Sequence, residues 1–514
     1  MSDRIARPSV TAVEQHGVAS IPDADRDSSV FDFVRLCWGG ANSLATAVLG
    51  AFPIMFGLSF WQAVTASVIG LVVGSIVLAP MSIFGPINGT NNAVSSSAHF
   101  GVLGRIIGSF LSLLSAVAFF AISVWSSGDA VTGAARLVLH IRGSNLQVAS
   151  VYAVFSLSIL IVCIYGFRMM LLVNKIAVIA STALFILGMA IFWRSFNTSY
   201  AGSGLHLGAG GFWPPFISST LIVLSNPISF GAFLGDWTRY LPRETNKPKL
   251  IAATVISQLL TYVPFLFGII TATIVATRAP DYIASGDYSG GLLAVTPFVF
   301  LAPLLLLAVL SGLSTGTTSL YGTGLDFSSV FPRLSRAQAT AFIGVLACAL
   351  VFIGRFGFSL FGSISTFISL IIVTTTPWMV IMIIGYVVRR GYYIPAAMQV
   401  FNLGQTGGPY WFTGGWNLAG VFSWAVSSVI ALLTVNIPGH YVGWLGSLAG
   451  GIDISLPIAL VLPALLYPLC LKIFPEPAAI YGPEGPRFIS AANLPIAPIL
   501  GPGSARLFSS AGSE

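Results

Sequence analysis

The chain is short of charge. Of its 514 residues only 39 are Lys, Arg, Asp or Glu, 8% of the total, while 55% are hydrophobic. Soluble proteins carry about 25% charged residues, so a water-soluble fold of this size is excluded, and with it secreted scaffolds and disordered proteins. Lysine occurs four times and never follows glycine, and no GxxxxGK[ST] is present, which argues against an ATP-driven pump with its own motor. Cysteine is as sparse. Cys37, Cys163, Cys348 and Cys470 stand singly in apolar stretches without CxxC spacing, and read as buried small hydrophobes. No His, Glu or Asp cluster has metal-ligand spacing. The one GxSxG match, Gly312 to Gly316, lies inside an apolar run, not at a strand-to-helix turn, so it is no hydrolase elbow. The net charge of +7 is scattered through short loops, never a patch, which excludes nucleic acid as a partner.

What is present in quantity is apolar sequence. A bilayer core takes about 20 apolar residues of helix, and the chain offers such stretches near 31–57, 60–84, 102–129, 147–166, 170–193, 212–235, 250–277, 293–322, 338–354, 358–388, 417–437 and 453–474. The prediction is an all-α polytopic membrane protein with twelve transmembrane helices, its natural partner the lipid bilayer. Loops after even-numbered spans carry eleven Lys and Arg, those after odd-numbered spans five. The positive excess sets the even loops, and both termini, on the cytoplasmic side of a plasma membrane. Residues 1–30 lack the apolar core of a cleavable signal. They and the Pro/Gly-rich 475–514 read as disordered cytoplasmic tails. The match Asn88-Gly-Thr falls in an expected cytoplasmic loop and is set aside as a glycosylation site.

In lipid, a helix interruption is tolerated only where it lines a cavity or is buried in protein. Span 1 holds Trp38-Gly39-Gly40-Ala41-Asn42-Ser43, and span 6 holds Leu224-Ser225-Asn226-Pro227-Ile228-Ser229-Phe230. Proline in a helix interior frees a carbonyl at a cost of about 3 kcal/mol. Each could be a tolerated kink. Together, at the first and sixth positions of a five-plus-five duplication, they read as paired functional breaks. Asn42, Asn226 and Ser229 are then groups placed to hydrogen-bond a ligand.

Spans 3 and 8 are polar in corresponding places. On span 3, Phe119, Ser123 and Ser126 share one face at i, i+4 and i+7, a ring above hydroxyls, suited to a flat heterocycle or to close helix packing. On span 8, Ser311-Gly312-Leu313-Ser314-Thr315-Gly316-Thr317-Thr318-Ser319 is dense in neutral oxygens. These can ligate a dehydrated Na⁺ or bond back to their own helix. Asp129, near the expected end of span 3, is either a proton or gating group or an interfacial residue. Asp236 and Arg239, at the end of span 6, are either a helix-end ion pair or a conformational latch.

Phe60-Trp61-Gln62-Ala63, Gly85-Pro86 and above all the run NPISFGAFLGDWTRYLP at 226–242 resemble the nucleobase–cation symporter family of purine–cytosine permease type. The resemblance runs from about residue 31 to 475. It implies a five-plus-five inverted-repeat core of LeuT type (spans 1–10, residues 31–388) with spans 11 and 12 (389–474) outside it. It further implies alternating access and substrate held between spans 1, 3, 6 and 8. The family's stacking aromatic and hydrogen-bonding amide on span 3 fall here at Phe119 and Ser123. A family tryptophan on span 6 falls at Pro227, and an asparagine on span 8 near Leu320. The family's Ser-Thr pair of Na⁺ ligands matches Ser314-Thr315, with backbone carbonyls expected near Gly39 to Asn42.

The expectation is a secondary active importer of a planar heterocycle, cytosine or a purine first, coupled to Na⁺ or H⁺. Phe119 and Phe230 are the stacking candidates. Asn42, Ser123, Asn226 and Ser229 are the hydrogen-bonding candidates, and Gly39, Ser311, Ser314 and Thr315 the coupling-ion candidates. No cofactor is expected beyond that ion. The alternatives are carriage of allantoin, a hydantoin, a vitamin, an amino acid or an amine on the same fold, and more remotely a channel or membrane sensor. A membrane enzyme would need a convergent acid–base pair, which the sequence does not offer.

Overall fold

The computed structural model describes residues 17–140, 144–208, 211–331, 333–357, 360–437 and 441–501. Arg142 and the outer parts of both tails lie outside them. Among the described residues nine helices are long and apolar enough to cross a bilayer. They are span 2 (Phe60–Asn88), span 3 (Arg105–Leu139), span 4 (Asn145–Tyr165), span 5 (Phe167–Ser195), span 7 (Lys247–Arg278), span 8 (Phe298–Val330), span 9 (Arg336–Gly357), span 10 (Ile364–Val388) and span 12 (Ser455–Ile473). Three expected spans fall below that length. Span 1 is two helices, Val30–Ala41 and Leu44–Met55; span 6 is Trp213–Ser229 followed by the single turn Gly235–Thr238; span 11 is Leu418–Leu433.

The two breaks coincide with the sequence signals. Asn42 (φ −88°, ψ 69°) and Ser43 (φ −142°, ψ 167°) leave helical geometry, and the helix restarts at Leu44. In span 6 the helix ends at Ser229, one turn after the Pro227 ring has removed a donor, and 230–234 form tight turns before Gly235.

Packing follows the duplication. Spans 3 and 8 run together over most of their length, span 2 packs along span 6, and span 7 packs along span 1. The latter pairs exchange partners as a two-fold relation between halves requires. Small residues permit both contacts. A Cβ on Gly74 would lie 2.8 Å from the Leu224 carbonyl of span 6, and one on Gly268 would strike the Ala47 carbonyl of span 1. Spans 10, 11 and 12 pack on one another, and span 10 also packs against spans 6 and 3.

Three expectations are corrected. The segment 88–99, expected as a solvated loop, is wholly buried, with Asn88, Asn91, Asn92 and His99 at zero exposure. Asn92 there donates to the Gly231 carbonyl in the span 6 break (2.9 Å), and Asn91 to Asp326 (3.3 Å). The tails do not all lie free. Ile21 and Val18 are buried, with Ile21 N donating to Gly89 O and Ser28 N to Tyr240 O. The start of the C-terminal segment is also anchored, with Ile480 and Tyr481 buried and Glu476 meeting Arg389 at 2.8 Å, both essentially unexposed. Finally, span 3 runs ten residues past Asp129 and span 8 eight past Gly322. The hydroxyls of Thr132, Thr323 and Ser328 in these ends bond back to their own helix, and Ser329 meets Ser109 of span 3.

Candidate functional site

Spans 1, 3, 6 and 8 meet where the two helices break. Gly40, the last glycine before the span 1 break, sits against the Phe230 ring and the Thr318 hydroxyl; a Cβ there would lie 3.1 and 3.2 Å from them. Phe230 continues into an aromatic ladder with Phe233 and Trp237, centroids 5.2 and 5.6 Å away. Phe119 is buried with its ring edge-on to Phe367 of span 10 at 5.5 Å. Both stacking candidates are thus held in place by other rings.

The hydrogen-bonding candidates divide. Ser123 donates to the Gly312 carbonyl of span 8 (3.0 Å), binding spans 3 and 8 together. Ser229 donates back to the Asn226 carbonyl (2.6 Å), the helix-internal fate open to any Ser. Asn42 donates from Nδ2 to Val178 O, Ser181 Oγ and Thr182 Oγ1 of span 5 at 3.2, 2.8 and 2.8 Å, while its Oδ1 has no partner. Asn226 is different. It has zero exposure, and neither Oδ1 nor Nδ2 has a hydrogen-bond partner. It stands one turn before Phe230, on the same face. A buried amide left wholly unpaired costs about 1–3 kcal/mol per group, so its retention points to a ligand.

The four ion candidates come together at the junction of spans 1 and 8. Ser314 Oγ donates to Gly39 O (3.1 Å), and Leu44 N, opening the second half of span 1, donates to Ser311 Oγ (3.4 Å). Thr315 Oγ1 is buried and unpartnered. Neutral hydroxyls and a carbonyl released at a helix end are a donor set that fits Na⁺. Sequence reasoning missed a fifth group: Asn174 of span 5 donates from Nδ2 to Ser314 Oγ at 3.0 Å. A lone amide inside an apolar helix gave no signal.

The charged candidates are structural in their surroundings. Asp129 accepts from Tyr152 OH (2.7 Å) and pairs with Arg355 of span 9 (3.3 Å) near the face opposite the termini. Asp236 and Arg239 are fully buried, and Arg239 Nη2 reaches the hydroxyls of Tyr240 and Tyr321, both at 3.2 Å. They sit on the terminal face, below the span 6 break, with Asp326 of span 8 nearby. No charged side chain is among the named residues at the meeting of spans 1, 3, 6 and 8.

A multi-pass membrane protein whose two broken helices face each other across a neutral polar centre has the architecture of a secondary transporter. The chain belongs to the family of permeases for cytosine/purines, uracil, thiamine and allantoin, whose model matches residues 20–457. It is similar to a putative purine-cytosine permease of Bacillus subtilis, 26% identical over 483 residues, covering 90% of this chain and 96% of that one. A hydantoin permease of Microbacterium maritypicum is 22% identical over 426 residues, 80% of this chain and 83% of its own. In fold the chain resembles the nucleobase-cation-symport-1 family transporter Mhp1 in a closed conformation with bromovinylhydantoin bound. The TM-score is 0.70 at 18% identity, over 92% of this chain and 98% of that one.

Proposed function

We propose that the protein imports a small, uncharged planar heterocycle, cytosine or a purine first, by alternating access coupled to a cation at the span 1–span 8 junction. It acts in the plasma membrane with both termini cytoplasmic. The observation that carries this is the buried, unpartnered Asn226 amide one turn from the Phe230 ring. A carboxamide offers one donor and one acceptor side by side. That matches the edge of a ring bearing adjacent N–H and C=O, or ring N and amino group, as nucleobases and hydantoins do. Phe230 and Phe119 supply faces for the ring. The half-helix ends at both breaks supply fixed dipoles.

Two further points support the reading. A charged amino acid or amine would need a counter-charge, and the carboxylate of Asp129 is engaged by Tyr152 and Arg355. The family description and the hydantoin-bound relative are also of ring compounds carrying such edges.

The test is uptake into proteoliposomes of labelled cytosine, uracil, adenine, hypoxanthine and allantoin, with and without an inward Na⁺ gradient at fixed pH. Saturable, gradient-stimulated uptake of one ring, reduced at least about tenfold by Asn226→Ala, is expected; one lost hydrogen bond pair is worth about that. If no ring moves under either a Na⁺ or a proton gradient, the heterocycle reading falls. If a ring moves but Asn226→Ala is indifferent, the pocket lies elsewhere.

A further inference from the structure

Span 5 delivers Asn174, fully buried, to the junction of spans 1 and 8. The two contacts of Ser314 there divide into one donated and one accepted. Ser314 has a single hydroxyl hydrogen, and it goes to Gly39 O at 3.1 Å. Ser314 Oγ must therefore accept from Asn174, 3.0 Å away, so the carboxamide presents its NH₂ to the junction. Its Oδ1 is left buried with no partner, as is Thr315 Oγ1 of span 8. The Asn174 amide lies directly against Gly39, where a Cβ would displace it. One and two turns further along the same face of span 5, Val178 O and the Ser181 hydroxyl hold Asn42. Span 5 thus reaches the end of the first half of span 1 twice, at Gly39 through Ser314, to which Asn174 donates, and at Asn42, whose amide Val178 O and Ser181 Oγ accept.

In this arrangement the site is closed to a cation. One of the two lone pairs of Ser314 Oγ is taken by an N–H, its hydrogen goes to the Gly39 carbonyl, which also accepts from Asn42 N (3.4 Å), and the donor end of the amide faces the junction. One rotation reverses all three. If the carboxamide turns over, Oδ1 accepts the Ser314 hydrogen. The Gly39 carbonyl, keeping only its bond from Asn42 N (3.4 Å), and the Ser314 oxygen then each gain a free lone pair, and the orphaned oxygen gains its partner.

We propose that Asn174 is the switch residue of the coupling-ion site, its NH₂ closing the junction when no cation is bound and its Oδ1 taking the Ser314 hydrogen when one is. This rests on the reading of that junction as a Na⁺ site. It also assigns span 5 a part in coupling. The same side chain that reports the ion's presence is wedged between span 1 and span 8, so loading the site alters the contact on which their relative movement turns.

The experiment is the Na⁺ concentration for half-maximal uptake, measured beside the substrate KM at saturating Na⁺, for wild type, Asn174→Asp and Asn174→Leu. Aspartate accepts the Ser314 hydrogen permanently and adds negative charge. Its half-saturating Na⁺ should fall about tenfold or more, with the substrate KM little changed. Leucine has nearly the same volume and accepts nothing; its half-saturating Na⁺ should rise about tenfold, the loss of one good hydrogen bond. Should Asn174→Leu not survive purification, the aspartate arm decides alone, its folding checked by monodispersity in detergent. Wild-type uptake that responds to Na⁺ together with variants that keep its Na⁺ dependence would overturn the role of Asn174 and leave the ion site standing. Wild-type uptake indifferent to Na⁺ would overturn both.

Discussion

Two of the buried polar regions contrast. On the terminal face Arg389, at the end of span 10, is enclosed with Glu476 from the C-terminal segment. Glu476 also accepts from Asn417 and Tyr481. Burial works against the Arg389 charge, but Glu476 with Tyr467, Tyr410 and Tyr481 more than offsets it, holding the guanidinium above its ordinary range. His99 joins the same cluster through Tyr393 (3.0 Å). The centre, by contrast, holds neutral groups, and several lack partners: Asn226 at both atoms, and Asn42, Asn174 and Thr315 at one each. Paired charge holds the C-terminal segment to span 10, while the centre keeps an amide, Asn226, free at both atoms beside the broken helix. The C-terminal segment is therefore a structural clasp, and the centre a receptor.

The comparison breaks most easily at the clasp. Arg389→Met strands the Glu476 carboxylate in a buried site, and removing one partner of such a pair costs about 3–5 kcal/mol. A large fall in the unfolding temperature in detergent is expected, with most of it recovered in the double variant Arg389→Met, Glu476→Met. If the single variant instead kept its stability and lost transport, the clasp would belong to the mechanism. The centre should respond with the opposite sign. Asn226→Leu removes a polar group with no partner, so stability should hold or rise by about 1 kcal/mol while uptake falls at least about tenfold.

Asp129 sharpens the comparison from a third place. It was open between a proton group and an interfacial residue, and it lies in an ion pair with Arg355 that is 34% exposed on the arginine side and 23% on the aspartate side. Half-solvated pairs are worth about 0–1 kcal/mol. Asp129→Asn retains an oxygen for the Tyr152 hydroxyl and should cost no more than that in stability. Its uptake at pH 6 and pH 8 should track wild type. A flattened pH dependence would return Asp129 to the coupling machinery.

Much of this was legible in the sequence, and what was not has physical reasons. The breaks announced themselves because Gly39-Gly40 next to Asn42-Ser43, and Asn226 next to Pro227, are local chemical signals that need no tertiary context. The ion candidates were visible as a cluster. Asn174 was not, since one amide in span 5 makes no pattern and its partner lies 140 residues away. The polar run 88–99 was misjudged because hydropathy equates polarity with solvent. Asn92, bonded to Gly231 O, shows that polar backbone and side chains can be buried by satisfying one another. The same error put the end of span 8 at residue 322, short of Asp326, which the helix carries on to because Asn91 faces it. Proline and glycine made 475–514 read as disordered, but they say nothing about whether a segment packs, and Ala478–Tyr481 forms a short helix with Ile480 and Tyr481 buried.

The smallest effect lies at the far face. Asp453, in the connection from span 11 to span 12, is 4% exposed, and accepts from Asn436 N (3.0 Å) and Ser455 N (2.8 Å). Burial pushes its carboxyl above the ordinary range, and those hydrogen bonds only partly pull it back. Among the described residues packed around it, Ser218 of span 6, Ser369 of span 10 and Ile437 are neutral, so no cation offsets the burial. A carboxyl whose folded value is raised binds its proton more tightly when folded. Its stabilising contribution is therefore complete below the ordinary carboxylate range and is lost as pH rises through the raised folded value. Relative to Asp453→Asn, wild type should be most stable in acid and lose ground as pH climbs across that window. The difference in unfolding temperature between the two, followed from pH 4 to pH 7, is the measurement. A difference that stays flat would mean that this buried carboxylate, like the clasp and unlike the centre, is fully compensated where it stands.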